Sequence, residues 1–90
     1  MYKIEFTTNS LKDVIKLKKS EPQAYKKLAK LLDELKKHPT SGTGHPKLLR
    51  YDRVKQWSRK ITDRHRLVYL IEDETITIIV LSAYGHYGDK

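Results

Sequence analysis

The stretch HRLVYLIEDETITIIVLS, residues 65–82, decides the fold. Residues 65–71 and 75–82 are rich in branched and aromatic side chains, which favour strands, and the acidic triplet Glu72-Asp73-Glu74 between them is typical of a turn. Two strands with so short a connection pair antiparallel. We therefore predict an antiparallel hairpin here, preceded by a further strand of the same meander over residues 57–62.

Upstream of this meander the chain predicts one more strand and two helices. Residues 2–6 alternate between apolar and polar side chains, as a half-buried strand does. Apolar residues then recur at helical spacing: Ser10 is placed to cap a first helix, which ends near Lys19. Ser20 is placed to cap a second helix, which Pro39 stops. The predicted fold class is α+β, with a two-helix hairpin on one face of a small, mainly antiparallel sheet in the order β-α-α-β-β-β, and with the other face partly open.

The segment between the helices and the meander is a loop followed by a candidate strand. Gly42, Gly44 and Pro46 punctuate the loop. The Gly-Thr-Gly triplet is too short for a nucleotide-binding fingerprint, so we interpret it as a turn. A candidate strand starts at Lys47.

Length and composition are those of a small basic domain. The 90 residues are enough for one domain, residues 1–90, with a single modest core. The formal net charge of +8 and the pI of about 9.7 favour a polyanion as partner. The absence of cysteine excludes disulfides and thiolate zinc sites, and four scattered histidines give no metal signature. No apolar run is long enough to span a membrane and no secretory segment is recognisable, so we expect a cytoplasmic protein.

Arginine is confined to one part of the chain. All five arginines fall between residues 50 and 66, whereas the positive charge before that stretch is carried by lysine. The planar guanidinium matches a phosphate in geometry, while lysine is a flexible, hydrated point charge. This segregation predicts a phosphate-binding surface built by the second half of the molecule. The residues are Arg50, Arg53, Arg59, Arg64 and Arg66.

The two-residue period of a strand decides which of these side chains share a face. An odd number of residues in the loop before the hairpin would place Lys60 across from Val68. Thr62 would then lie across from Arg66. A two-residue loop would instead set Ile61 against Arg66. We predict the first register, because it gathers Lys60 and Arg66 on one face.

The C-terminal residues add groups for proton transfer and stacking. His86 can donate or accept a proton near neutral pH, and Tyr84 and Tyr87 can stack on a base or bind a phosphate. RNA carries its own nucleophile, the 2′-hydroxyl, so an enzyme needs a proton acceptor, cations around the phosphorane and an acid for the leaving oxygen. The residues alone indicate a nucleic-acid-binding domain and are compatible with a nuclease.

Several of these residues also have a structural interpretation. The helical lysines are typical of a solvated face, and Trp57 is typical of a residue packed in a core or at its rim. Arg59 and Arg64 can instead form surface ion pairs, which contribute about 0.2–1 kcal/mol. Their candidate partners are Asp52 and Asp63. We interpret His45 and His65 as structural or peripheral.

A long central motif resembles a known family. Residues 57–69, WSRKITDRHRLVY, closely resemble the W-S-R-R-I-x-x-x-H-R-L-V-Y signature of the YoeB (Txe) toxins in the RelE superfamily. The loop GTGHP, residues 42–46, is similar to the family's G-x-G-x-P, and the pair His86-Tyr87 resembles its terminal H-Y. The resemblance covers essentially the whole chain. It implies a microbial-ribonuclease-like fold and a toxin of a bacterial toxin–antitoxin pair, one that cuts messenger RNA in the decoding site of the ribosome without a metal or cofactor.

The same resemblance implies roles for individual residues. The family's catalytic arginine falls on Arg66, which would stabilise the phosphorane. Its terminal histidine falls on His86, the acid toward the leaving oxygen, and its terminal tyrosine on Tyr87, which would orient the message. The second arginine of the motif is replaced by Lys60. Expected RNA contacts are Arg50, Arg59, Lys60, Arg64 and Tyr84.

Position 47 departs from the family pattern. The G-x-G-x-P loop is usually followed by a glutamate, the general base, and this chain has Lys47 there. A protonated lysine cannot accept a proton, yet relatives in the RelE branch work with lysines and arginines. We expect a lysine-containing active site; the alternative is a weakened or non-catalytic homologue that binds RNA or the ribosome. A DNA regulator is disfavoured, because no helix-turn-helix arrangement is recognisable.

The implied partners are messenger RNA, the ribosome and an acidic antitoxin of the YefM or Axe type. A partly disordered acidic segment of that antitoxin would cover Arg66 or displace His86. A homodimer and a toxin–antitoxin hetero-oligomer both remain open. No membrane partner is expected.

Overall fold

The computed structural model describes residues 1–49 and 56–85, which contain five strands and two helices. The predicted order of one strand, two helices and a meander is confirmed, and the candidate strand at Lys47 forms as a short additional strand. The elements are β1 (Lys3–Phe6), α1 (Thr8–Ser20), α2 (Pro22–Leu35), β2 (Lys47–Leu49), β3 (Gln56–Lys60), β4 (Arg66–Glu72) and β5 (Thr77–Ser82).

The strands form one mixed sheet in the order β1-β5-β4-β3-β2. The neighbours β2–β3, β3–β4 and β4–β5 pair antiparallel, whereas β1 pairs parallel with β5. Because β1 and β2 are the two edges of this sheet, the helical hairpin that connects them leads the chain from one edge to the other. The helices therefore cover one face.

The core lies between the helices and that face. Leu67 and Tyr69 of β4 and the side chains of Ile78 and Val80 of β5 are fully buried in it. Trp57 packs against the same core, as its structural interpretation predicts. The helix α2 contributes a stripe at helical spacing: Ala24, Leu28, Leu31 and Leu35. Within residues 1–49 and 56–85, no helix has the length and apolar character needed to cross a membrane.

The helix caps differ from the sequence prediction. Thr7 caps α1, since its hydroxyl accepts the Ser10 N–H at 3.1 Å; Ser10 itself is buried in the first turn. Ser20 donates to the Lys16 carbonyl at 2.7 Å within α1 and does not cap α2. The predicted caps Ser10 and Ser20 are therefore wrong. The helix α2 begins with Pro22, which has no N–H that needs a cap.

The β3–β4 register brings Lys60 and Arg66 onto one face, as predicted. The two residues lie directly opposite each other, and residues 61–65 form the connection, which is odd in length. The individual pairs are two residues away from the predicted ones, because the turn starts earlier. The Thr62 N–H donates to the His65 carbonyl at 3.2 Å inside the turn and not across the sheet.

Candidate active site

Three predicted cations share the face of the sheet opposite the helices. Lys60 lies opposite Arg66, and Lys47 lies opposite Ser58, which precedes Lys60 by two residues on β3. Side chains two residues apart on a strand point to the same face. Directly opposed Cβ atoms are about 4.5–5.5 Å apart and diagonal neighbours about 7–8 Å, so these long side chains can converge on one anion.

The three cations differ in their surroundings. Lys47 is exposed, Arg66 is half-buried, and Lys60 forms an exposed 2.7 Å ion pair with Asp63. Surface pairs of this kind contribute little and are readily exchanged for another anion. Among the described residues, neither Lys47 nor Arg66 forms an ion pair. No described carboxylate therefore competes with a phosphate for either side chain.

The chain turns toward its C-terminal tail beside Arg66. The Arg66 N–H donates to the Gly85 carbonyl at 2.9 Å, and the Gly85 N–H donates to Nδ1 of His65 at 2.9 Å. Gly85 has a φ of +81°, which glycine adopts without strain. Its carbonyl carbon is bonded to residue 86. Four residues of the predicted phosphate-binding surface and site lie outside the described part of the chain: Arg50, Arg53, His86 and Tyr87.

Arg59 points to the other face of the sheet, the face that the helices cover, and its side chain is buried there. It pairs with Leu67, so it points toward the helices, and it is 0% exposed. It forms a 3.0 Å ion pair with Glu34 of α2, and its Nε donates to the Tyr69 hydroxyl at 3.2 Å. The guanidinium also donates to loop carbonyls, those of His38, Ser41 and Thr43. The predicted RNA contact of Arg59 is therefore wrong, and so is the alternative of a surface ion pair.

These contacts attach the loop after α2 to the rest of the molecule. The Glu34 carboxylate accepts the N–H and the hydroxyl of Thr43 at 2.8 and 2.6 Å. The Thr43 hydrogen bonds, with a further contribution from the charge of Arg59, lower the pKa of Glu34. The Tyr69 hydroxyl donates to the Pro39 carbonyl at 2.7 Å, and burial raises the pKa of Tyr69. The loop is thus fixed directly ahead of β2.

Gly44 allows this loop to lie against β3. Its φ is +88°, and its carbonyl accepts the Lys60 N–H at 2.7 Å. A Cβ at this position would lie 3.0 Å from the Lys60 carbonyl oxygen and 3.2 Å from Cβ of Arg59. The second glycine of the G-x-G pattern is therefore required by close packing of the loop that carries Lys47.

Arg64 and Tyr84 lie near the site with partners of their own. The Arg64 side chain is 74% exposed and 3.7 Å from the Glu21 carboxylate. The Tyr84 ring centroid is 4.4 Å from that of His65, and the Lys16 ammonium lies 4.2 Å above the Tyr84 ring. RNA contacts by both residues stay predictions.

Glu34 is a supporting residue that the sequence does not indicate, whereas the structural interpretation of His65 agrees with its burial and hydrogen bonds, and only its partner Glu21 is not indicated. The Arg59 partner Glu34 is 25 residues away along the chain, and the His65 partner Glu21 is 44 residues away. Because the partners are so far apart along the chain, no local sequence pattern indicates that either pair meets. In the described ranges, no group of three His, Asp or Glu side chains is placed to hold a metal ion.

Comparison with known proteins finds relatives that match nearly the whole chain. A family model of the YoeB-like toxin of bacterial type II toxin–antitoxin systems matches residues 6–87. The toxin YoeB of Streptomyces coelicolor is 33% identical over 85 residues, which cover 94% of this chain and 99% of that protein.

Solved structures share the fold. The YoeB/ParE toxin from Agrobacterium tumefaciens aligns with a TM-score of 0.88 at 29% identity, covering 94% of this chain and 99% of that one. A chain in the heterotetrameric YoeB–YefM toxin–antitoxin complex from Staphylococcus aureus aligns with a TM-score of 0.82 at 27% identity, covering 97% and 99%. The predicted α+β fold is confirmed by these likenesses.

Proposed function

The chain belongs to the family of YoeB-like toxins of bacterial type II toxin–antitoxin systems, and from this membership we propose that it is a ribosome-dependent endoribonuclease. It cuts messenger RNA in the decoding site and so inhibits translation in the cytoplasm. The observation that carries the proposal is the common face of Lys47, Lys60 and Arg66, beside which Gly85 is hydrogen-bonded to Arg66.

The proposed reaction uses a nucleophile within the RNA. The 2′-oxygen attacks the adjacent phosphorus and the P–O5′ bond breaks, which gives a 2′,3′-cyclic phosphate and a 5′-hydroxyl. Lys47, at the position of the family's general base, takes the proton of the 2′-hydroxyl, and His86 supplies a proton to the departing 5′-oxygen. Tyr87 orients the message.

Arg66 has the central electrostatic role in this proposal. The phosphorane carries more negative charge than the ground-state phosphodiester, so a fixed cation stabilises it preferentially. A guanidinium can donate two parallel hydrogen bonds to phosphate oxygens, and half-burial strengthens them by limiting solvent screening. Lys60 adds a second positive charge directly across the strand pair.

The proposed partners follow from charge. The message and the ribosome supply phosphates for the exposed cations, and we assign RNA contacts to Arg50, Lys60, Arg64 and Tyr84. The Staphylococcus aureus YoeB binds YefM in its complex. We extend this to the present chain: an acidic antitoxin segment competes with RNA for the face that carries Arg66.

The decisive experiment supplies purified protein to ribosomes that carry a defined message and maps the ends of the RNA. Cuts should fall in phase with codons and carry 2′,3′-cyclic phosphates. Arg66→Ala and His86→Gln should each slow cleavage by about 10²–10³-fold while ribosome binding persists. Lys30→Ala removes an exposed positive charge from α2; it serves as the control and should cleave at the wild-type rate.

A transition-metal chelator should leave the cleavage rate unchanged, provided that the Mg²⁺ the ribosome needs is retained.

A second candidate function is non-catalytic binding to the ribosome. Lys47 favours it, because this position carries an ammonium group on the exposed edge of the face. In that case the wild-type protein would bind ribosomes and inhibit translation without new RNA ends.

A further inference from the structure

His65 connects the two helices to the start of the tail. The ring is 2% exposed and lies immediately before β4. Its Nε2 is 2.7 Å from Oε2 of Glu21, and its Nδ1 is 2.9 Å from the backbone nitrogen of Gly85. A backbone N–H can only donate, so Nδ1 is the acceptor and the ring proton is on Nε2, where it is donated to the Glu21 carboxylate.

Gly85 is held through both of its backbone polar groups. His65 accepts its N–H and the Arg66 N–H donates to its carbonyl. His65 and Arg66 thus hold the peptide groups on both sides of Gly85, the residue before position 86. A Cβ on Gly85 would have no described atom within 4 Å apart from its chain neighbours, so these two hydrogen bonds are the described contacts that hold the residue.

The surroundings of His65 hold the ring in this orientation. The Tyr84 ring packs against it at a centroid distance of 4.4 Å, and Lys16 of α1 covers Tyr84. On the other side, Arg64 lies 3.7 Å from the same Glu21 oxygen that accepts the Nε2 proton. The carboxylate and the tyrosine together restrict rotation of the ring, so Nδ1 stays directed at Gly85.

We propose that His65 is a positioning residue for the nuclease site: as an Nδ1 acceptor it fixes Gly85 and thereby sets where His86 enters the site beside Arg66. This inference rests on the proposed function. His65 contacts neither RNA nor the reacting atoms, so its contribution is to the rate of the chemical step and not to ribosome binding. A misplacement of about 1 Å in a catalytic group is enough to lower a rate by about 10²-fold.

Two substitutions separate the two nitrogens of the ring. Asn places an acceptor near the position of Nδ1, whereas Gln places a donor near that of Nε2. His65→Asn should therefore keep the Gly85 hydrogen bond, and His65→Gln should keep only the one to Glu21. We expect His65→Asn to cleave within about threefold of wild type, and His65→Gln to lose 10-fold to 10²-fold in kcat with KM unchanged. Rates are compared after urea unfolding has established that each variant is folded.

A double-mutant cycle tests whether His65 acts through His86. In a His86→Gln background, the further change His65→Gln should have no additional effect, because the group it positions is gone. Additive losses would overturn the proposal. Full kcat in His65→Gln, or equal losses in His65→Asn and His65→Gln, would overturn it as well.

Hydrogen exchange separates this inference from the proposed function. The Gly85 amide should be protected in wild type and in His65→Asn, and should exchange at least tenfold faster in His65→Gln. If wild-type protein cuts no message on ribosomes, the nuclease proposal fails, and the same exchange pattern still supports the anchoring of Gly85. Equal exchange in all three proteins would overturn that anchoring whatever the activity.

Discussion

Arg59 is the clearest case of a functional-looking residue with a structural role. Its guanidinium is fully buried and its hydrogen bonds join β3, β4, α2 and the following loop. Removal of a buried charge partner typically costs about 3–5 kcal/mol, because it leaves the other groups unsatisfied. We expect Arg59→Ala to lower the free energy of unfolding by about that amount. The shift of the urea midpoint measures this, provided that the slope of the unfolding free energy against urea concentration does not change.

Arg64 supplies the matched control for this change. Its side chain is 74% exposed, so Arg64→Ala should alter the free energy of unfolding by no more than about 0.5 kcal/mol. Similar urea midpoints for the two arginine variants would show that the buried network does not stabilise the fold.

Strand periodicity placed Lys60 and Arg66 on one face only together with the choice of an odd connection, and it did not identify what lies beneath Arg59. The alternation of side chains left two registers open, and the predicted sharing of a face by the two cations is confirmed. The same alternation puts Arg59 on the other face, where an arginine is unexpected. Its burial becomes favourable through Glu34 and three loop carbonyls, and no local sequence pattern indicates that these groups meet.

Lys47 can be tested against the carboxylate that the family usually has at this position. A glutamate is ionised at neutral pH and can accept a proton, whereas a lysine accepts one only in its neutral form. Lys47→Glu should therefore cleave at neutral pH at least as fast as wild type. The measurement is the single-turnover rate of each protein on ribosomes at neutral pH.

Lys47→Ala completes that comparison. It removes the proposed proton acceptor and should slow cleavage by about 10²-fold. Undiminished cleavage by Lys47→Ala would exclude any catalytic role for this residue.

At the scale of elements, the loop between α2 and β2 depends on the ionised Glu34 carboxylate. Hydrogen bonds from Thr43, and then the charge of Arg59, lower the pKa of Glu34 in the folded state. A lowered pKa means that this stabilisation is fully present above the ordinary glutamate pKa. It is lost as the pH falls through the lower folded-state value.

Glu34→Gln should therefore destabilise the protein most at neutral pH and progressively less in acid. The measurement is the free energy of unfolding of wild type and variant from pH 7 down to about pH 3. Glu74→Gln, in the exposed β4–β5 turn, is the control and should match wild type throughout. A constant difference between Glu34→Gln and wild type at every pH would contradict the linkage.

The elements themselves were largely readable from the sequence, whereas their caps were not. Branched residues and an acidic turn were enough to predict β4 and β5. Ser10 fits a local capping pattern as well as Thr7 does. The long-range pairing of β1 with β5 decides between them: it ends at Phe6, and the Thr7 N–H donates to the Val80 carbonyl at 3.2 Å. The chain therefore leaves the sheet at Thr7, and the helix starts there.

At the scale of the whole molecule, the exposed basic side chains lie on two different surfaces, and the sorting of arginine from lysine along the chain does not coincide with them. The lysines of α1 and α2 lie mostly on the solvated side of the helices, away from the sheet. Lys47, Lys60 and Arg66 lie on the opposite face of the sheet. A net charge of +8 predicts attraction to any polyanion, so charge alone does not identify the surface that binds RNA.

The salt dependence of RNA binding can distinguish the two surfaces. Each phosphate contact to a single strand contributes about 0.7 to the slope of log affinity against log salt, because it releases condensed counterions. Lys60→Ala should reduce the slope by about that amount, whereas Lys30→Ala removes the same charge from α2 and should leave it unchanged. Fluorescence anisotropy with a short single-stranded RNA measures both, in a His86→Gln background that prevents cleavage. Equal slopes for the two variants would mean that overall charge, and not the face with Arg66, holds the RNA.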